Sequence, residues 1–240
     1  MKIGEVLSLL DRISPFELQE AWDNSGLLLG EASQDVARIV VSVDIDERMV
    51  EEEEAGSLFV LHHPLIFTGM KRLLWNEYPA NLLRRMVQKD QAVIAMHTNF
   101  DRTHLNRYVF EKVLGFEGAE CEGFLCRAEG EWETEALLEG VKERLGLPVM
   151  RIVGSRPLVR SVAMTTGSGA SLLEAADADL FLTGDIKFHD AMKALSLGRM
   201  MADIGHFESE RYFAEALHGD LKNLPIPVII AQSINPFTYI

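Results

Sequence analysis

The sequence predicts an α/β fold made of two layered halves. Buried strand-like runs alternate along the chain with segments whose apolar residues recur at helical spacing. Several of these runs end directly in histidine or acidic side chains, which a buried strand does not need for its own stability. The 240 residues are 48% hydrophobic and 25% charged, an ordinary balance for a globular protein with a sizeable core.

The first half is expected to cover residues 1–125. Apolar residues within residues 2–11 follow helical spacing, and a polar turn at residues 22–26 precedes a leucine-rich strand. The later elements are predicted as strands at residues 38–43, 58–61 and 91–96, and as helices at residues 46–55, 79–89 and 104–118. The four consecutive glutamates at residues 51–54 are interpreted as a solvated face, because consecutive helical residues splay around the axis.

The second half is expected to cover residues 126–240 and to repeat this alternation. Its elements are predicted as helices at residues 136–145, 170–176 and 191–197, and as strands at residues 151–154, 161–165, 179–183, 200–204 and 227–230. The acidic segment at residues 119–135 is expected to be irregular and to form the hinge between the halves. The last strand is a candidate to pack back on the first half.

Charge and composition exclude several classes of function. Lys plus Arg number 23 and Asp plus Glu number 37, so the net charge is -14. A nucleic-acid partner is disfavoured because phosphate binding needs a basic surface. No run reaches the roughly 18 apolar residues of a membrane span, and the N-terminus lacks a signal-peptide core, so a cytoplasmic protein is expected. The two cysteines, Cys121 and Cys126, are accordingly expected to be reduced thiols.

The segment with the clearest functional signal is the strand at residues 58–61, which runs into His62, His63 and Pro64. Neighbouring side chains of a regular strand point to opposite faces, but Pro64 ends the strand and relaxes that alternation. Both rings can then approach one pocket or two adjacent metal ions. One buried structural histidine beside one exposed histidine explains the segment equally well when it is taken alone.

Three other strand ends carry similar residues. His97 and Asp101 follow one strand, Asp185 and His189 another, and a third set is formed by His206 and Glu210, one helical turn apart. Singly, the last pair reads as a surface contact, and Asp101 reads as a helix cap. Together they favour a metal site where the strands end, between the halves. A mixed histidine and carboxylate set suits Zn, Mn, Fe or Co and lacks the thiolates of structural zinc.

A glycine-rich turn at residues 166–169 precedes the helix predicted at residues 170–176. Helix N-termini offer free N–H groups to phosphate, so this turn is a candidate ligand loop. It lacks the spacing of a P-loop or of a dinucleotide fingerprint, and a plain connecting turn is the competing interpretation.

Five blocks of this chain, in order, resemble the signature blocks of the NIF-three-like family of dinuclear metal-centre proteins. The blocks are WDNSGL, HHPLIF, HTNFD, TGDIKFHD and GHFESER, which begin at residues 22, 62, 97, 183 and 205. They span almost the whole chain. The resemblance implies the NIF-three-like fold and a toroidal homohexamer. Some members of the family carry an extra domain between the halves, for which this chain is too short.

The resemblance also implies two divalent metal ions per subunit. Mapped onto the matching positions, His62, Asp101 and Glu210 hold the first ion. His63, His206 and Glu210 hold the second, so that Glu210 bridges the pair.

The chain departs from the family pattern at two positions in the block that begins at residue 183. Asp185 stands where the family commonly has Glu, and Phe188 stands where it often has His. The second departure removes a direct ligand role for position 188.

Bacterial members of this family are commonly named type-2 GTP cyclohydrolase I. That reaction implies a water activated by the two ions, which attacks C8 of the guanine ring and leads to formate release. His97, His189 and Lys187 are the candidate catalytic residues for proton transfer or substrate contact. A phosphoesterase or an amidohydrolase fits the same ligands. A non-catalytic metal-binding ring, or a metal-handling protein, is the alternative from another functional class.

Overall fold

The computed structural model describes residues 1–240, which form two compact units. The first unit contains Met1–Phe100 and Phe213–Ile234, and the second contains Asp101–Tyr212 and Asn235–Ile240. The α/β architecture predicted from the sequence is confirmed, with one mixed sheet in each unit. The units divide the chain near residue 100 rather than at residue 125, because the acidic segment expected to be a hinge is built into the second sheet.

The sheet of the first unit has five strands in the order β1-β4-β3-β2-β11. These are β1 (Gly26–Leu29), β2 (Arg38–Ser42), β3 (Ser57–Leu61), β4 (Ala92–Ala95) and β11 (Val228–Ile230). The last four run parallel, and β1 closes one edge in the antiparallel direction. Every residue of β3 and β4 is buried, as expected for the centre of a parallel sheet covered on both faces.

Helices cover this sheet and bury their apolar faces against it. They are α1 (Ile3–Ile13), α2 (Glu47–Glu52), α3 (Ala80–Gln88), the short turn α4 (Thr98–Phe100) and α9 (Phe213–Leu221). Helix α2 begins at Asp46, whose side chain accepts a hydrogen bond from the N–H of Met49. Met49 then packs with Phe59 of β3 and Met86 of α3 in one buried cluster.

The sheet of the second unit has six strands in the order β5-β6-β8-β9-β10-β7. These are β5 (Glu120–Glu122), β6 (Leu125–Glu133), β7 (Arg151–Val153), β8 (Leu158–Met164), β9 (Leu180–Thr183) and β10 (Met200–Asp203). Strands β8, β9 and β10 run parallel, so their carboxyl ends meet at one edge. The other pairings of this sheet are antiparallel.

The second unit begins with two π-helical turns, Asp101–Leu105 and Tyr108–Val113, where an ordinary helix is predicted. Its α-helices are α5 (Thr134–Leu145), α6 (Leu173–Ala176), α7 (Phe188–Ser196) and α8 (His206–Glu210). Helix α5 ends at Gly146, which adopts the left-handed conformation typical of a helix C-terminus. None of the helices in either unit is long and apolar enough to span a bilayer.

The expectation of reduced cysteines is wrong, because Cys121 and Cys126 form a disulfide. A tight turn at Gly123, with φ of 58°, folds β5 back on β6 and sets the two cysteines directly opposite each other. Their Cα atoms lie 4.0 Å apart, close to the separation of a non-hydrogen-bonded antiparallel pair. The prediction rested on the expected cytoplasmic location and took no account of the hairpin register that pairs the two cysteines.

Candidate metal centre

The double histidine lies directly beyond the end of β3. The backbone N–H of His62 donates to the carbonyl of Ser42 at 3.1 Å, and that of His63 donates to the carbonyl of Val43 at 3.1 Å. The backbone of this segment thus stays attached to β2 while the side chains leave the regular strand pattern. His62 is completely buried and His63 is partly exposed.

Because β3 and β4 are parallel neighbours with Leu61 opposite Ala95, the second residue past β4 lies beside the double histidine. That residue is His97, whose ring centroid is 5.2 Å from that of His62 and 5.5 Å from that of His63. One ring nitrogen from each of the three histidines lies within 4.8 Å of the others. The first unit therefore gathers three imidazoles, as the alignment of strand ends predicts.

In both residues of the double histidine, the Nδ1 atom forms a hydrogen bond with an oxygen atom. Nδ1 of His62 lies 3.0 Å from the carbonyl oxygen of Met96, and Nδ1 of His63 lies 2.8 Å from Oδ1 of Asp44. Carbonyl and carboxylate oxygens only accept hydrogen bonds, so Nδ1 carries the proton in both rings. Nε2 is then the ring atom that would bind a cation, as in most metal-binding histidines.

His97 is oriented by the buried carboxylate of Asp23 in the WDNSGL turn. Nδ1 of His97 lies 2.8 Å from Oδ1 of Asp23, and Oδ2 accepts hydrogen bonds from the backbone N–H and the hydroxyl of Thr98. Burial would raise the pKa of Asp23, but the hydrogen bonds from His97 and Thr98 outweigh it and hold that pKa well below the ordinary 3.8. Asp23 therefore stays charged, and its tie to Nδ1 leaves Nε2 of His97 as the ring atom able to meet a ligand.

The second unit presents a histidine and a carboxylate on one turn of α8. Nε2 of His206 lies 3.0 Å from Oε2 of Glu210, so the two candidate ligand atoms point at the same small volume. Nδ1 of His206 lies 2.7 Å from Oδ2 of Asp185, which follows β9. Asp185 thus serves His206 as Asp44 serves His63, and all four of these histidines have an oxygen on Nδ1.

A second buried carboxylate lies close to Glu210. Asp101, in the first π-helical turn, has a carboxylate oxygen within 4.8 Å of one from Glu210. The two residues are only 9% and 3% exposed. Two charged carboxylates at this spacing in a buried position repel each other, and a bound cation relieves that repulsion. The donor set of the second unit therefore fits a hard or borderline divalent metal.

Glycines let the backbone approach Glu210 and His206 closely. A Cβ added at Gly167, where φ is +60°, would collide with Oε1 of Glu210. At Gly184, an added Cβ would lie 2.7 Å from the backbone nitrogen of His206. Both glycines occupy turns that follow strands, β8 for the first and β9 for the second. Their lack of a side chain leaves the space that the candidate ligands occupy.

In the turn at residues 166–169, the backbone N–H groups of Thr166, Gly167 and Gly169 donate hydrogen bonds to other residues of the protein. The N–H of Thr166 donates to Asn106 Oδ1 at 2.7 Å, and that of Gly167 donates to Ser209 Oγ at 3.0 Å. The N–H of Gly169 donates to the hydroxyl of Thr183. A phosphate cradle needs such groups to face a ligand, so the geometry favours the connecting turn over the ligand loop.

Lys187 and His189 lie at the start of α7 in the second unit. Both are exposed, and the His189 ring packs edge-on against the ring of Phe188 at 5.4 Å. The N–H of Lys187 donates to Asp190 Oδ2 at 3.1 Å, and this hydrogen bond lies at the N-terminus of the helix. Their catalytic roles stay predictions.

Sequence reasoning assigned no role to Asp23 or Asp44, which orient histidines in the first unit. Asp23 lies 74 positions from His97, and Asp44 lies 19 positions from His63. Each aspartate follows or precedes a predicted strand, and Asp23 belongs to a block of the family resemblance. These positions are the signal that the sequence offers for the two aspartates. Pairing each aspartate with its histidine, however, requires knowing the order of the strands in the sheet.

Comparison with known sequences identifies a single family over nearly the whole chain. Residues 1–236 match the family described as Duf34/NIF3 (NGG1p interacting factor 3). A Campylobacter jejuni protein named GTP cyclohydrolase 1 type 2 homolog is 46% identical over 241 residues, and the alignment covers 100% of both chains. A Helicobacter pylori protein named GTP cyclohydrolase 1 type 2 is 38% identical, with 99% of this chain and 93% of that protein aligned.

Comparison of structures agrees with this result. The crystal structure of a Staphylococcus aureus protein superposes with a TM-score of 0.89 at 28% identity, covering 100% of this chain and 99% of the other. A Bacillus cereus protein related to NIF3 has the same fold, with a TM-score of 0.85 at 19% identity and coverage of 100% and 99%. The resemblance of the five sequence blocks is thereby confirmed, and this chain belongs to the Duf34/NIF3 family.

Proposed function

We propose that this protein is a dinuclear metal-dependent hydrolase. The observation that carries the proposal is the shared state of His62, His63, His97 and His206. Each has an oxygen acceptor on Nδ1, so that Nε2 is the ring atom that would bind a cation, and Nε2 of His206 already contacts Glu210. Structural histidines have no reason to share one tautomer and one kind of partner, whereas ligands of a metal centre do.

The proposed ligands come from both units. The family resemblance assigns His62, Asp101 and Glu210 to one divalent ion, and His63, His206 and Glu210 to the other. Within the second unit, the convergence of Glu210 with His206 and with Asp101 supports Glu210 as the bridging residue. Nitrogen and oxygen ligands admit Zn, Mn, Fe or Co, and availability in the cell selects among them.

Two such ions, when bound, supply an activated water at neutral pH and neutralise charge on the reacting oxygens. The protein supplies the proton transfers. His97 lies beside the double histidine with Nδ1 fixed on Asp23, so Nε2 is positioned to take up or release a proton. Lys187 and His189 are proposed to contact substrate from the second unit.

The names of the Campylobacter and Helicobacter relatives suggest GTP as the substrate. For this chain we propose a nucleotide as substrate and GTP ring opening with formate release as the nominal reaction. We also propose a homohexamer, on the basis of the family resemblance. Light scattering on the purified protein measures the oligomeric state directly.

The experiment is a formate assay on metal-loaded protein given GTP. Glu210→Gln removes the bridging charge with little change of volume, and we expect it to abolish formate release and to lower the metal content measured by mass spectrometry. Glu215→Gln is the matched control, because Glu215 is an exposed carboxylate on α9. We expect that control to keep both properties.

Three outcomes are informative. Formate release that requires Glu210 supports the cyclohydrolase assignment. Turnover of phosphoesters or amides, without formate release from GTP, supports a hydrolase but contradicts GTP as its substrate. Two tightly bound metals with no turnover across a broad panel favour the non-catalytic metal-binding ring.

A further inference from the structure

Two large aromatic side chains lie exposed beside the three-histidine group of the first unit. Trp22 is 59% exposed and Phe67 is 46% exposed. Their ring centroids are 5.9 Å apart, and each is 6.1 Å from the centroid of His97. Exposed aromatic surface of this size costs free energy in water and commonly marks a binding site.

The aromatic pair is held in place by polar contacts within the first unit. Asn24 Nδ2 donates to the carbonyl of Ile66 at 2.6 Å, which ties the turn carrying Trp22 to the loop carrying Phe67. Next to Trp22, the Asp23 carboxylate is fixed by His97. The two rings therefore occupy one preorganised position rather than the ends of independent loops.

An open cavity of about 470 Å³ continues from Phe67 along the same loop. Its lining includes Lys71, Arg72 and Tyr78. The lining also includes the carboxylate of Glu77, which leaves one net positive charge there in a chain of net charge -14. Arg72 is ion-paired with Glu77 at 3.2 Å, so Lys71 is the cation assigned to a ligand. The volume is within the range of small-molecule sites.

We propose that Trp22 stacks on a planar heteroaromatic ring beside His97, that the tilted ring of Phe67 borders its edge, and that Lys71 binds an anionic group attached to that ring. This rests on the proposed function and deepens it, because it assigns the ring and the anion of a nucleotide to named residues. Aromatic side chains bind nucleobases through their faces, and an ammonium group binds phosphate as a compact charge. The ring would thereby lie next to the imidazole proposed to move protons.

The test is calorimetric titration of metal-loaded protein with three probes. GTP carries both a ring and an anion, guanosine carries only the ring, and tripolyphosphate carries only the anion. We expect Trp22→Ala to weaken binding of GTP and guanosine at least tenfold and to leave tripolyphosphate unchanged. We expect Lys71→Ala to weaken GTP and tripolyphosphate at least tenfold and to leave guanosine unchanged.

Trp22→Phe keeps a stacking ring and is expected to restore most of the affinity for guanosine, which separates stacking from damage to the fold. Trp75→Ala is the control, because Trp75 is exposed on the same loop but its ring packs under Arg84 and does not line the cavity. We expect Trp75→Ala to bind all three probes normally.

The proposal is overturned if guanosine does not bind the wild-type protein, or if Trp22→Ala binds guanosine as tightly as wild type does. A changed oligomeric state of Trp22→Ala, with all ligand affinities preserved, would instead assign the aromatic pair to contact with a second copy of the chain. Probe binding without formate release would overturn the proposed cyclohydrolase reaction but support this site. Formate release from GTP that is unchanged in Trp22→Ala would support the cyclohydrolase reaction and overturn this site.

Discussion

The two units present different candidate metal ligands. The first gathers three imidazoles just beyond the parallel strands β3 and β4. The second presents two buried carboxylates and one imidazole around α8 and the first π-helical turn. Both use the carboxyl ends of three parallel strands, where open α/β sheets place their ligands.

The difference lies in the kind of candidate ligand that each unit supplies. In the first unit each of three imidazoles is fixed by an oxygen on Nδ1, as Asp185 fixes the single imidazole of His206 in the second unit. The second places the carboxylates of Glu210 and Asp101 close together in a buried position, where a bound divalent cation would stabilise them. This contrast predicts which substitutions damage folding and which damage metal binding.

The largest effect on stability is expected in the first unit, at Asp23. Asp23→Asn leaves one acceptor oxygen where the carboxylate now serves His97, Thr98 and Ser25. An amide NH₂ would then face N–H and O–H donors. We expect a loss of about 2–3 kcal/mol in the free energy of unfolding at pH 7, as for other buried hydrogen bonds to charged groups. Urea denaturation of both proteins measures it.

The same comparison has a defined pH dependence. The folded protein holds the pKa of Asp23 below the unfolded value of 3.8, so the charged group stabilises the fold above about pH 4. That stabilisation is lost as the pH falls through the lower folded pKa. The stability gap between wild type and Asp23→Asn should therefore narrow below pH 4. A gap that stays constant down to pH 2 would contradict the assigned cause.

In the second unit the equivalent change should act on metal binding more than on folding. Asp185→Asn weakens the acceptor on Nδ1 of His206, at a site that is half exposed. Loss of such an orienting partner lowers metal affinity about 10- to 100-fold. Competition with a chelating dye measures the affinity. Asp220→Asn, at an exposed position of α9, is the control, and equal affinities for the two variants would refute an orienting role for Asp185.

Sequence patterns predicted the central strands well, because buried runs such as residues 58–61 and 91–96 have few alternatives. They failed where long-range pairing decides the outcome. Cys121 and Cys126 form a disulfide through hairpin register, and Asp23 meets His97 only through the placement of β1 beside β4. The π-helical turn at Asp101 has no recognised sequence signal.

The disulfide distinguishes the units in a second way, because it lies only in the second one. Closing a loop this short stabilises a fold by about 2 kcal/mol in the chain-entropy treatment. We expect the double variant Cys121→Ser and Cys126→Ser to lose that much, with faster hydrogen exchange in β5 and β6. Exchange in β3 and β4 should be unchanged. Dithiothreitol on wild type should reproduce the effect, and a silent reduction would contradict it.

The smallest expected change in stability comes from two glycine substitutions. Together they separate the effect of backbone strain from the effect of crowding the Glu210 carboxylate. Gly167→Ala and Gly198→Ala both place alanine at positive φ, +60° and +65°, and each should cost about 1 kcal/mol. An added Cβ at Gly198 meets nothing within 4 Å, whereas at Gly167 it collides with Glu210 Oε1. Only Gly167→Ala should therefore also lose metal affinity in the chelator competition. If both variants bind metal equally well, the carboxylate of Glu210 can move aside for the added methyl group. Metal affinity then does not depend on the position that this carboxylate has in the structure.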